Sequence, residues 1–303
     1  MTGTSISIAR KEGRLLILVL PAVIIWGCNF VIIRMGLQGV GPFFLAAARF
    51  CVASAPFLPF TRMPKAPLWL IVGYAGSVGL GQFSFLFLAI KMGLATGEAA
   101  LLVQLQAAFT VILSALILRE KISAKTALGT LLGVIGLLCI MSDQIIAPKA
   151  AIPALLAVGA ALCWAISNIF IRYGNYIGAE CSGFPFVIWS SAMLPLPFLF
   201  LSYVTGETTY LTISSLQRAV LPVIYLGIFA TCIGYFLWVR ALSIFDGASV
   251  APFALLVPVI ALLTGHFILD EPTSVAEILG GVLIISGLCV NSLWRPTSVK
   301  TRA

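Results

Sequence analysis

Two short stretches place polar and aromatic groups inside otherwise apolar sequence. "WGCNFVIIR" runs from Trp26 to Arg34 and "WAISNIFIR" from Trp164 to Arg172, with the same Trp-to-Arg spacing in both. Residues three and four apart share a helix face. Trp26, Asn29 and Phe30 therefore form one stripe, and Trp164, Ser167 and Asn168 form another. Similar stripes run through Tyr74, Val78, Gln82 and Phe85 and through Thr231, Tyr235 and Trp238, and Gln104 adds a further amide. An amide donates and accepts, so it suits a zwitterion or a neutral polar metabolite. An indole supplies rigid apolar area for a side chain. The same amides could instead bond neighbouring helices, for about 0.6 kcal/mol each. Their paired placement favours a cavity, with Trp26 and Asn29 on one wall and Trp164 and Asn168 on the other. Gln82, Phe85, Gln104, Tyr235 and Trp238 would complete its lining. Asn29 lies three residues past its Trp and Asn168 four, which predicts an uneven cavity.

Chemistry at depth would need paired carboxylates, a His/Asp cluster or an activated serine. None of the ten acidic residues lies near the centre of an apolar run, and His266 stands alone. The expectation is a protein without enzymatic activity, cofactor or metal. No filter ring or charged lining suggests a channel. The seven cysteines form no Cys-x-x-Cys pair and read as small apolar filler. Two charges are placed unusually: Arg49 about seven residues inside an apolar run, and Glu98 in the first turn of another. At about 1.5 Å per residue Arg49 is roughly 10 Å deep. The second half has Ala192 and Ser249 at the matching positions. Either Arg49 and Glu98 share a network near the outer vestibule, or Arg49 binds a substrate carboxylate.

These groups are positioned by an unusually apolar chain: 61% of its 303 residues are hydrophobic and 9% charged. Soluble domains carry roughly 25% charged residues, and a membrane-spanning helix needs about 20 apolar residues. Ten such helices are expected, near 15–33, 42–60, 68–90, 95–118, 126–141, 152–171, 184–204, 219–239, 248–269 and 275–294. The net charge of +8 reads as orientation rather than nucleic-acid binding. With the N-terminus in the cytoplasm, thirteen Lys and Arg face inward and four outward. The positive-inside rule then puts both termini in the cytoplasm.

The chain also repeats itself. Trp26 and Arg34 map onto Trp164 and Arg172 at an offset of 138, and "ILREK" around Glu120 maps onto "ILDEP" around Glu271 at 151. Gly129 and Gly136 then fall on Gly280 and Gly287. The extra residues of the second half belong around "SYVTGETTYLTISS". Residues 1–147 and 148–303 are thus expected as two five-helix repeats. Five is odd, so the second repeat must insert upside down, a signature of secondary transporters. Glycines at close spacing make the fifth and tenth helices packing helices, within the chain or at a homodimer contact. Arg34 and Arg172 would serve as anchors, reaching headgroups or bonding the last carbonyls of their own helices.

The sequence resembles EamA-type members of the drug/metabolite transporter superfamily from Leu15 to Leu293. The resemblance is carried by "WGCNFVIIR", "LAAARF", "LLVQLQAAFTVILSALILREKISAKTALGTLLGVIGLL", "CWAISNIFIR" and "FALLVPVIALLTGHFILDEPTSVAEILGGVLIISGL". It is similar above all to bacterial ten-helix exporters of amino acids and related metabolites. The resemblance implies export from the cytoplasm across the inner membrane by alternating access, and a gating role for Glu120 and Glu271. Drugs or other small metabolites are the alternative cargo. One departure is visible: the family's fourth-helix proline is missing, Ala107 standing opposite Pro258.

Overall fold

The computed structural model describes residues 2–119, 124–146, 151–181, 183–244, 250, 253–254 and 256–293. Regular structure among them is entirely helical. In a bilayer the backbone must satisfy its own hydrogen bonds, which a helix does within one segment. We label the segments α1 (Thr2–Gly39), α2 (Pro42–Phe60), α3 (Leu68–Lys91) and α4 (Thr96–Ile117). They continue as α5 (Ala124–Ile146), α6 (Ala151–Tyr176), α7 (Phe184–Val204) and α8 (Ile213–Trp238). The last two are α9 (Leu256–Leu269) and α10 (Val275–Leu293). Seven of these, α1 (from Arg14), α2, α3, α4, α6, α7 and α8, contain stretches long and apolar enough to cross a membrane. The apolar stretches of α5, α9 and α10 are shorter. Several helices outrun their expected bounds: α1 reaches Gly39, α6 reaches Tyr176, and α8 begins at Ile213. Glu120 lies outside the described residues.

Among the described residues five helices are interrupted, α2 by a turn at 55–57 before a short 3-10 turn at Leu58–Phe60. α4 breaks at Gln104–Leu105, between Thr96–Val103 and Gln106–Ile117. No proline is needed, so the missing proline opposite Pro258 does not make α4 straight. α7 breaks before Pro195, where the ring cannot continue the hydrogen-bond ladder. α3 and α8 each contain a π-helical stretch, Ala75–Gln82 and Tyr225–Ile233. A π turn holds one residue more than an α turn. Each extra residue rotates the remainder of the helix by about 100°.

The packing is largely reciprocal between the halves. α1 lies against α8 and α9, while α6 lies against α3 and α4. α2 packs on α7, α4 on α9 and α5 on α10. The α5–α10 seam is the tightest. A Cβ on Gly287 would stand 2.4 Å from the Gly129 carbonyl oxygen, and one on Gly136 would stand 2.6 Å from that of Gly280. The glycines therefore bring two helices of one chain together.

Polar groups tie helix ends to other helices. Arg34 Nη1 donates to the Ile90 and Leu94 carbonyls at 3.2 and 3.1 Å, closing α3. Lys91 Nζ donates in return to the Leu37 carbonyl of α1 at 2.6 Å. Arg172 donates to Ser114 Oγ on α4 at 2.8 Å. The two arginines thus bond neighbouring helices, where the sequence suggested headgroups or the ends of their own. Glu207, in the segment that lengthens the second half, accepts from the Phe43 and Phe44 amides at the start of α2. Glu271, just past α9, accepts from Thr96 N and Oγ1 at the start of α4, both at 2.7 Å. Both carboxylates sit at the positive end of a helix dipole. Between α6 and α7, Cys181 is buried against Gly174. Burial pushes its thiol pKa up, which leaves it protonated and unreactive.

Candidate solute-binding cavity

A cavity of about 40 Å³ lies between α2, α3, α7 and α8, two helices from each half. Its walls are Arg49 and Phe50 of α2, Tyr74, Ala75, Val78, Gly79 and Phe83 of α3, Val187, Ser190, Ser191 and Leu194 of α7, and Thr231 and Tyr235 of α8. It has room for roughly three waters. An amino acid would require the walls to part.

The π stretches set what these walls present. On α3 the face that begins with Tyr74 and Val78 continues through Gly79 to Phe83. Phe85 lies off this face, beside Gly159 of α6, and is 37% exposed. An unbroken α-helical phase would put Phe85 in the lining, and the wide turns of Ala75–Gln82 remove it. On α8 the Thr231 hydroxyl donates to the Leu226 carbonyl five residues back, at 2.8 Å, a reach that suits a π turn. Its oxygen accepts from Arg49 Nε at 3.3 Å and Nη2 at 3.2 Å.

Arg49 is the charged member of this wall and is 4% exposed. Its guanidinium carbon lies 4.2 Å from the Phe83 ring centroid and 5.3 Å from that of Phe50. Cation–π contact of this kind is strongest when desolvated. Nη1 has no hydrogen-bond partner among the described residues. Arg49 makes no direct bond to Glu98: its bonds go to Thr231, and Glu98 is buried in the first turn of α4. Ser190 Oγ, on α7, also lines the cavity and is likewise buried without a partner among the described residues.

The other sequence candidates divide. Trp26 joins the site through Tyr235: the ring centroids are 5.5 Å apart, and Trp238 lies 5.3 Å from Trp26 on another side. The Trp26 indole donates to the Ala230 carbonyl at 3.0 Å, inside the π stretch of α8. Asn29 and Gln82 are buried, and their side-chain oxygens have no partner among the described residues. Asn168 acts as a helix bond, donating to Gln106 Oε1 at 2.9 Å and Thr110 Oγ1 at 3.0 Å on α4. Phe30 belongs to the apolar core, and Trp164 packs between two apolar clusters. Gln104 occupies the break in α4. Gln82 lies at the end of the π stretch, beside the cavity wall but outside its lining. Of the ten lining candidates only Tyr235 borders this cavity. The cavity is lined by α2, α3, α7 and α8, whereas the sequence stripes point to α1 and α6. The sequence reading missed Phe50, Phe83, Ser190 and Ser191. The adjacent serines in an apolar helix were the available signal, since hydroxyls at that depth need a polar neighbour.

Known proteins carry the same pattern. The model of the EamA-like transporter family matches the chain twice, at residues 13–142 and 151–293. The matched stretches begin 138 residues apart and end 151 apart, the drift visible in the sequence itself. A "Probable amino-acid metabolite efflux pump" of Salmonella typhimurium is 36% identical over 287 residues, covering 93% of this chain and 95% of the relative. Its counterpart in Escherichia coli is 35% identical with the same coverage. A "Probable terminal-alkyne amino-acid exporter" of Streptantibioticus cattleyicolor is 26% identical over 88% of this chain and 89% of its own. A solved crystal structure matches the fold with a TM-score of 0.59 at 20% identity, over 92% of this chain and 96% of the other. Apolar helices long enough to cross a membrane, two copies of one sequence unit and full-length similarity to efflux pumps agree: the chain is a multi-pass membrane transporter of small molecules, not an enzyme, and belongs to the EamA-like transporter family.

Proposed function

We propose that the protein exports amino acids or related small amphipathic metabolites from the cytoplasm by alternating access. Ten spans form two inverted five-helix repeats, 1–147 and 148–303, in a bacterial inner membrane with both termini cytoplasmic. The single observation that carries this reading is the cavity walled by α2 and α3 of one repeat and α7 and α8 of the other. A site shared between inverted repeats lets a rocking of the halves expose it to either side. Near-full-length similarity to two amino-acid metabolite efflux pumps points to the cargo. The matching π stretches in α3 and α8 and the reciprocal packing of α1 and α6 support the repeat relation. As the walls part, Tyr235 with Trp26 and Trp238 would receive an apolar side chain. Asn29 and Gln82 offer unpaired amide oxygens to its polar end. Glu271, and Glu120 with it, would act at the gates.

Counterflow in proteoliposomes tests the transport reading. Vesicles preloaded with one of the twenty proteinogenic amino acids should accumulate the labelled form above equilibrium, saturably, for a subset of the panel. A linear, unsaturable flux or no accumulation for any member would reject it. Topology is tested separately in cells, on a background lacking the seven native cysteines. Gln38→Cys should react with an impermeant thiol reagent added outside and Lys65→Cys should not. The reverse pattern would overturn the orientation.

A further inference from the structure

We infer that Arg49 forms an anion subsite that binds the carboxylate of the transported solute. The inference rests on the proposed transport of amino acids and gives it a recognition element. Arg49 is 4% exposed and lies well inside α2, where a bare cation is costly. Its neighbours include a hydroxyl, Thr231, two aromatic faces, Phe50 and Phe83, and the neutral side chains of Tyr235 and Cys232, and none of these carries a negative charge. Buried charges are ordinarily paired, and this one, on a cavity wall, keeps Nη1 without a partner among the described residues. Thr231 holds Nε and Nη2 on one edge of the guanidinium, and the ring of Phe83 covers a face. The free Nη1 is left for a ligand. Ser190 Oγ of α7, which lines the same cavity and is also buried without a partner among the described residues, supplies a second hydroxyl for the same anion.

The geometry explains why Arg49 need not be copied in the second half. Ala192 replaces it there, and a single zwitterion needs one cation. The asymmetry also orients the solute: its carboxylate lies toward α2, and its side chain toward the aromatic cluster of Trp26, Tyr235 and Trp238. A charge-assisted bond in a water-poor site discriminates strongly against a neutral isostere, because the isostere leaves the cation unpaired.

The test uses purified full-length protein in detergent and three probe sets: L-serine, L-leucine and L-phenylalanine, each with its amide and its decarboxylated amine. Binding is read as ligand-induced thermal stabilisation and as quenching of tryptophan fluorescence. At least one acid should bind at least tenfold more tightly than its amide and its amine. Arg49→Gln should bring acid and amide to within about twofold of each other, and Arg49→Lys should restore part of the preference. Equal binding of acid and amide by the unaltered protein, or no binding of any acid, overturns the subsite without requiring a variant to fold. So does an undiminished acid preference in Arg49→Gln. Acid-selective binding without counterflow would leave the subsite standing and reject the transport reading. Counterflow without acid selectivity would do the opposite.

Discussion

Gly287→Val is expected to prevent assembly of the native fold, seen as loss of a monodisperse peak in detergent. At this position a Cβ would lie 2.4 Å from the Gly129 carbonyl oxygen, 3.1 Å from the Gly133 amide nitrogen and 3.2 Å from Leu132 Cβ. Two of these three obstacles are backbone atoms and cannot rotate away. Overpacking a core ordinarily costs about 1–3 kcal/mol because side chains can shift. Here a whole helix must move, and the α5–α10 seam opens along its length. Gly136→Val meets the same obstruction from the other side, at the Gly280 carbonyl and the Ile284 amide. Gly76→Ala is the control: a Cβ there meets nothing within 4 Å, and Ala is the better helix former. A Gly287→Val protein as monodisperse and heat-resistant as Gly76→Ala would show that the seam is loose.

Removing the carboxylate of Glu271 should lower stability by about 1–3 kcal/mol, the cost of leaving a buried donor unsatisfied. Thr96 is completely buried, and both its backbone amide and its hydroxyl donate to Glu271 Oε2. Glu271→Ala strands both. Glu271→Gln keeps an acceptor oxygen but loses the charge that faces the α4 dipole, so its loss should be intermediate. Thermal unfolding of the two variants beside the parent measures this order. Equal loss in both would mean that charge alone matters, and no loss in either would show that α4 does not need the cap. Under the proposed gating role, transport should fall further than stability in Glu271→Gln.

The apolar runs and the doubled blocks were legible because hydropathy and repetition are local in the chain. The phase of a helix was legible only where its turns stay regular. Phe85 was misplaced because nothing in "AGSVGLGQ" announces wide turns. Asn168 looked like a solute ligand until Gln106 and Thr110, about sixty residues away, came within bonding distance. Glu271 was visible as a helix-end residue, yet its partner Thr96 is 175 residues distant. Arg49 stood out by charge and depth alone, but whether it faced Glu98 or a cavity depended on how α2 packs on α8. Long-range partners of polar groups are tertiary facts, and a single sequence records them weakly.

The placement of Arg49 against Thr231 also bears on how the protein is made. The two residues are separated by 182 positions. At a synthesis rate of about 5–20 residues per second, α8 leaves the ribosome roughly 10–40 s after α2. During that interval α2 holds a guanidinium whose hydroxyl partner has not been translated, and α1 lacks α8 and α9, against which it packs. The first half must therefore either wait at the insertion machinery or shield its cation by snorkelling toward the headgroups. Biogenesis, more than the finished fold, is the stage at which a charge inside α2 is most exposed to failure.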